Sequence, residues 1–182
     1  MCQKVTIFNF SPRSGANCAK IANFISNYHG ESNAVIYHIT AENCPSCGGC
    51  NYECLTPGAQ CPSKPDLLIR GLDDACASDL IYYIIPNFCG YPNANYFAFN
   101  ERCVGYFGMD RQLRAGYMKI RKKFIIVSNT ENDNFKNAAQ QQTAAEPEML
   151  YLKTGKYHKR STAGDLMESD EAKADLQAFL NM

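Results

Sequence analysis

Val5-Thr6-Ile7-Phe8-Asn9-Phe10 runs directly into Ser11-Pro12-Arg13-Ser14-Gly15-Ala16-Asn17, and this stretch decides the fold. The first half is a short β-rich run and the second a polar turn. Beyond it, Ala19, Ile21, Ala22, Phe24, Ile25 and Tyr28 recur mostly at helical spacing, and Gly30 is a stop signal. Strand, polar turn and helix in that order make one βα unit. Free backbone N–H groups and the helix dipole favour a phosphate at such a turn. A Ser/Gly/Asn turn serves equally as a plain helix start.

The same rhythm continues outward. Residues 34–39 read as a second strand, followed by a Cys-rich loop and a helix after Pro65-Asp66 carried by Leu67, Leu68, Gly71, Leu72 and Ala75. Leu80-Ile81-Tyr82-Tyr83-Ile84-Ile85 is almost continuously apolar, as expected of a strand buried on both faces of a parallel sheet. A loop over 86–93 and a helix over 94–103 follow. The basic stretch 111–123, with Arg111, Arg114, Lys119, Arg121, Lys122 and Lys123, reads as a solvated loop, with a role toward an anionic cofactor or partner as the alternative. Phe124-Ile125-Ile126-Val127 is another buried strand and ends at Ser128-Asn129-Thr130. A polar helix over 135–143, a strand over 149–152 and a helix over 170–180 complete the pattern. Alternation of this kind predicts one α/β domain over 1–182, with a parallel sheet covered by helices on both sides.

Composition narrows the function classes. Lys plus Arg and Asp plus Glu balance at 18 each among 182 residues, so no global basic field is present to attract nucleic acid. No apolar run approaches the roughly 20 residues of a membrane span. Lys4 leads straight into the first strand without a signal-type apolar region, so a cytoplasmic protein is expected. His29, His38 and His158 are isolated and read as surface or structural residues.

Ten cysteines are many for such a chain. Cys2, Cys18, Cys76, Cys89 and Cys103 are scattered and read as small packing residues. The others stand in Cys44-Pro45-Ser46-Cys47-Gly48-Gly49-Cys50-Asn51-Tyr52-Glu53-Cys54, with Cys61-Pro62 beyond. Thiolates two residues apart in a Gly-containing loop can wrap a soft metal centre, and the run resembles the ligand run of bacterial ferredoxins. Tetrahedral zinc and a set of free thiols are the competing readings.

Ser11-Pro12-Arg13-Ser14-Gly15-Ala16-Asn17 resembles the Ser-Pro-Arg…Asn-Thr phosphate loop of NADPH-dependent FMN reductases and iron–sulfur flavoproteins. Pro86-Asn87-Phe88-Cys89-Gly90-Tyr91 is similar to the family's Pro-x-Tyr-x-Gly loop, and Phe99-Asn100-Glu101-Arg102 to its Phe-x-Asp-Arg helix ending. Gly164-Asp165 before an acidic helix start also fits. These matches follow one another in order over most of the chain. Phe10 stands where the family has Gly, Cys18 where it has Thr or Ser, and Ser128-Asn129-Thr130-Glu131-Asn132 where it often has a Gly pair.

The resemblance implies a flavodoxin-like three-layer fold with a five-stranded parallel sheet in order 2-1-3-4-5. Ligands of such sheets lie beyond the carboxyl ends of the strands. It implies FMN, with the phosphate at Ser11, Arg13, Ser14, Gly15, Asn17 and Cys18. One side of the ring would meet Pro86, Asn87, Phe88, Cys89, Gly90 and Tyr91, and the other Ser128, Asn129 and Thr130. NAD(P)H would be the co-substrate and a redox partner or small molecule the acceptor, with the flavin carrying the chemistry and no side chain acting as acid or base. A non-enzymatic electron carrier and a flavin-free metal-binding scaffold are the alternatives. In the Cys-rich loop, over 44–61, the resemblance implies a [4Fe–4S] cluster on Cys44, Cys47, Cys50 and Cys61. Cys54 is set aside because a cysteine separated by three residues from such a triplet serves a different cluster in ferredoxins. Phe88, Tyr91, Tyr96, Phe97, Phe99, Tyr106 and Phe107 crowd one region and suggest a homodimer or larger assembly.

Overall fold

Side chains alternate across a strand, so a strand buried on both faces sends odd and even residues into different cores. The computed structural model, which describes residues 3–48, 50–59, 61, 66–129 and 134–182, shows this division throughout the sheet. Phe8, Ile81, Tyr83, Ile85, Phe124 and Ile126 enter one apolar cluster. Val5, Ile7, Leu80, Tyr82, Ile84, Ile125 and Val127 enter the other.

The strands are β1 (Val5–Asn9), β2 (Ala34–His38), β3 (Leu80–Phe88), β4 (Tyr91–Pro92), β5 (Arg121–Ser128) and β6 (Glu148–Lys153). The parallel sheet runs β2-β1-β3-β5-β6, with the short β4 paired antiparallel to the end of β3. With β4 set aside this is the order 2-1-3-4-5, so the fold is flavodoxin-like α/β. The helices are α1 (Asn17–His29), α2 (Leu67–Cys76), α3 (Ala94–Phe107), α4 (Arg111–Lys119), α5 (Asn134–Gln140) and α6 (Asp170–Asn181). Residues of α1 and α6 pack into the Val5/Ile7 cluster. Those of α2, α3, α4 and α5 pack into the Phe8/Tyr83 cluster. Among the described residues no helix is long and apolar enough to cross a membrane.

Two local expectations are corrected. The basic stretch 111–123 is not a solvated loop: it forms α4 and the first strand residues of β5. Lys122 and Lys123 are both buried. Lys123 Nζ donates to the carbonyls of Phe179 and Leu180 at 2.6 and 3.0 Å, and Lys122 Nζ to those of Tyr117 and Ile120. Lys123 thus satisfies carbonyls that the end of α6 leaves without intrahelical donors, and Lys122 bonds the Tyr117 carbonyl alongside Ile120 N and the Ile120 carbonyl just past α4, which makes their burial tolerable. The second correction concerns 86–93, which is a tight hairpin between β3 and β4 rather than an irregular loop. Its two turn residues, Cys89 and Gly90, both have positive φ (51° and 88°), as a two-residue hairpin of matching twist requires.

Candidate functional site

The connections leaving β1 and β3 open at the carboxyl end of the sheet, on either side of the point where strand order reverses. A cavity of about 310 Å³ lies between them. Ser11, Pro12, Arg13, Ala16, Asn17 and Cys18 line it from the first connection, Pro86, Asn87 and Phe88 from the second, and Val127, Ser161 and Thr162 complete it. Its volume is at the lower end of the range for small-molecule sites.

The turn after β1 is held by its own side chains. Asn9 Oδ1 accepts from Ser11 N at 3.0 Å, and Ser11 Oγ accepts from Arg13 N at 3.2 Å. The Ser11 hydroxyl keeps its own proton to donate. No side chain caps the start of α1, where Ala16 holds the N-cap position. The first-turn N–H groups, which have no intrahelical acceptor, are therefore available to an anion, and the helix dipole adds to their pull. Arg13 is the charged side chain among the lining residues. This donor set fits a phosphate.

A segment between β6 and α6 closes that end of the cavity. Arg13 donates to the carbonyls of Thr162 (3.1 Å) and Ser161 (3.0 Å). Asn17 donates to Ser161 O and accepts from Leu166 N at 2.9 Å. Lys20 Nζ donates to Gly164 O at 2.6 Å, and Asn129 Nδ2 to Ser161 Oγ at 2.9 Å. Ser161 and Thr162 were not foreseeable from their residue types. Two small polar residues in an irregular connection carry no signal until the fold places them.

The hairpin that lines the cavity from β3 is aromatic. Phe88 and Tyr91 pair across the hairpin and are 59% and 54% exposed, so their ring faces are open to a flat ligand. Gly90 N donates to Asn87 Oδ1, and Asn87 Nδ2 donates to Ser128 Oγ at 2.6 Å, tying the hairpin to the end of β5. Phe10, in place of the family's Gly, turns away from the cavity. It is fully buried against Phe99, Tyr96 and Tyr83, with ring centroids 5.3, 5.2 and 6.0 Å away. Its carbonyl accepts from Asn93 and Asn95. Cys18 is buried, and burial pushes its thiol up to about 12, so it lines the cavity as a neutral group.

Of the residues read from the sequence, the structure brings Ser11, Arg13, Asn17, Cys18, Pro86, Asn87 and Phe88 together around the cavity. Ser14 and Gly15 are exposed on the same turn. Cys89, Gly90 and Tyr91 lie farther along the same hairpin and do not line the cavity. Ser128 is buried behind Asn87, Asn129 touches the Ser161 segment, and Thr130 lies outside the described residues. His29 and His38 are bonded to Tyr82 and Asn9, which agrees with structural roles.

The thiols divide differently from the expected set. Cys44 is sealed in the core cluster at 1% exposure, and burial pushes it up to about 11. Cys54 and Cys61 are buried near each other against α3, while Cys47 and Cys50 are half-buried. Burial, then Cys61, Cys47 and Cys50, raise the Cys54 pKa. Among the described residues no three His, Cys, Asp or Glu side chains are placed to hold a metal ion. Pro62 to Pro65, next to Cys61, lie outside them.

Sheet order defines a flavodoxin-like fold, and the cavity lies at the switch point of its sheet. The chain is similar in structure to Smu.1420 from Streptococcus mutans UA159, with a TM-score of 0.65 at 12% identity, over 98% of this chain and 100% of the other. It is also similar to FerB, a flavoenzyme NAD(P)H:(acceptor) oxidoreductase from Paracoccus denitrificans, with a TM-score of 0.59 at 12% identity, over 98% and 96%. A third is the apo form of the NADH:FMN oxidoreductase EMOB, with a TM-score of 0.52 at 10% identity, over 97% and 88%. At these identities the likeness is one of fold. No family model and no curated protein matches the chain in sequence.

Proposed function

We propose that the chain is an NAD(P)H-dependent reductase that holds FMN in the 310 Å³ cavity. The observation that carries this reading is the polarity of that cavity. The connection after β1 gives it an uncapped helix start with Ser11 and Arg13, and the connection after β3 gives it Phe88, paired across the hairpin with the exposed Tyr91. That is the arrangement a phosphate joined to a flat ring system calls for. The flavin-dependent NAD(P)H enzymes among the fold neighbours support it.

When bound, FMN supplies hydride acceptance from a nicotinamide and electron delivery to an acceptor. The protein's residues bind and orient. The α1 amides, Ser11 and Arg13 would hold the phosphate, and the Asn87–Ser128 bond would fix the hairpin beside the ring. Phe88 and Tyr91 would leave one face open to the nicotinamide and to a redox partner or small-molecule acceptor. The same reading gives the Cys-rich loop, with its five thiols, a soft metal centre of iron–sulfur or zinc type. It also gives the chain a homo-oligomeric state through Phe88, Tyr91 and Phe97. Tyr96, Phe99 and Phe107, first grouped with them, are buried in the core instead.

The test is NADH and NADPH consumption by FMN-loaded protein, with free FMN and a quinone as acceptors. Consumption above the rate with free FMN alone supports a reductase. Stoichiometric flavin binding without nicotinamide consumption would reassign the chain as an electron carrier.

A further inference from the structure

A second cavity, of about 160 Å³, lies between the C-terminal half of α3, α4 and the turn after α5. None of its lining residues borders the 310 Å³ cavity. Its buried polar residues hold one another in place. Gln142, 3% exposed, accepts at Oε1 from the hydroxyls of Tyr117 (2.7 Å) and Tyr83 (3.2 Å). Its Nε2 donates to Asn100 Oδ1 at 2.6 Å, and the two tyrosine hydroxyls bond each other. An amide tied at both oxygen and nitrogen keeps one orientation, so this part of the wall is rigid.

The rest of the lining is apolar. Val104, Phe107 and Met118 supply it together with Cys103, whose thiol burial drives well above its ordinary pKa and so keeps neutral. An engineered apolar cavity of about 150 Å³ holds benzene, so a single six-membered ring fits a space of this size.

The charge around the cavity is of one sign. Arg114 is the charged residue of the lining; it is exposed, and among the described residues no carboxylate pairs with it. A second cation lies against Tyr117: Lys122 Nζ is 4.2 Å from that ring's centroid and donates to backbone carbonyls. Burial lowers the Lys122 pKa to about 8, which still leaves it charged at neutral pH. No lining residue carries a carboxylate, so the local potential favours an anion. Arg114 and Lys122 both come from the basic stretch 111–123.

We propose that this cavity binds a small monocarboxylic acid with a ring-sized apolar body, the body against Val104, Phe107 and Met118 and the carboxylate at the Arg114 guanidinium. A bare anion would leave the apolar lining wet, and a neutral ring would leave Arg114 unused. The assignment shares no residue with the flavin cavity and stands or falls without it.

The probe is benzoate, titrated into the full nitrogen-15-labelled chain and followed by amide chemical shifts. Benzamide controls for the charge and acetate for the ring. Benzoate should bind with a roughly millimolar Kd and move amides in 100–108, 114–118 and 141–142. Arg114→Gln, an exposed change that leaves the packing intact, should weaken benzoate about three- to ten-fold and leave benzamide unchanged. Acetate should bind at least about ten-fold more weakly than benzoate, because it buries no ring. Arg13→Ala should bind benzoate as wild type does. Shifts centred on residues 11–17 and lost in Arg13→Ala would put the anion in the other cavity and overturn the assignment. So would benzoate affinity that Arg114→Gln leaves unchanged, equal weakening of benzoate and benzamide, or equal binding of benzoate and acetate. The absence of any shift at tens of millimolar benzoate would remove the site altogether.

Discussion

Replacing Arg13 by alanine separates the phosphate from the ring in the proposed flavin site. Arg13 uses two of its five N–H donors on the carbonyls of Ser161 and Thr162, at 3.0 and 3.1 Å. The remaining donors and the charge are free for an anion held by the α1 amides. Losing one hydrogen bond to a charged partner costs about 1.5–3 kcal/mol, roughly a ten- to 150-fold rise in Kd. Riboflavin, which lacks the phosphate, should lose almost nothing. The assay is quenching of flavin fluorescence, titrated in parallel for FMN and riboflavin with wild type and Arg13→Ala. A selective loss of FMN affinity is expected, reduced by added salt because the pair is exposed. Equal weakening of both ligands would show that Arg13 acts by holding the Ser161 segment. Unchanged FMN affinity would refute a phosphate at this turn.

Phe10→Ala removes a fully buried ring beneath the site and should cost about 3–5 kcal/mol, roughly a 6–20 °C fall in Tm by calorimetry for a chain of this size; a fall of only a degree or two would contradict the packing role. Burial raises the Cys18 thiol from 9.0 to about 12, so its stabilising contribution is complete below pH 9 and is lost as pH rises toward 12. Denaturant unfolding should show wild type losing stability relative to Cys18→Ala by up to about 1.4 kcal/mol per pH unit above pH 9, and parallel pH profiles would exclude this. Light scattering at micromolar concentration should give a dimer or larger for wild type and a smaller species for Phe88→Ser/Tyr91→Ser; a wild-type monomer would remove these rings from any self-association.

The sheet was legible because apolar runs such as residues 80–85 and 124–127 have one physical explanation, burial on both faces. The basic segment 111–123 was misread because charge normally marks solvent, and nothing local reveals that Lys122 and Lys123 will meet helix-end carbonyls. The Cys89-Gly90 turn was hidden because Cys is an uncommon residue at positive φ. The phosphate turn was legible from residue type and position. Its far wall, Ser161 and Thr162, was not, since contact across about 150 residues follows from topology alone. Cysteine spacing likewise pointed to the loop, yet it could not tell that Cys44 faces the core while Cys54 and Cys61 meet at Gly105.

Equilibrium dialysis of the full chain against FMN, with flavin counted per chain after separation, tests flavin binding itself. Saturation is expected at about one FMN per chain, at or below roughly micromolar free ligand, a binding free energy near −8 kcal/mol. Equal flavin concentrations on both sides of the membrane at tens of micromolar FMN would contradict it and leave a flavin-free scaffold.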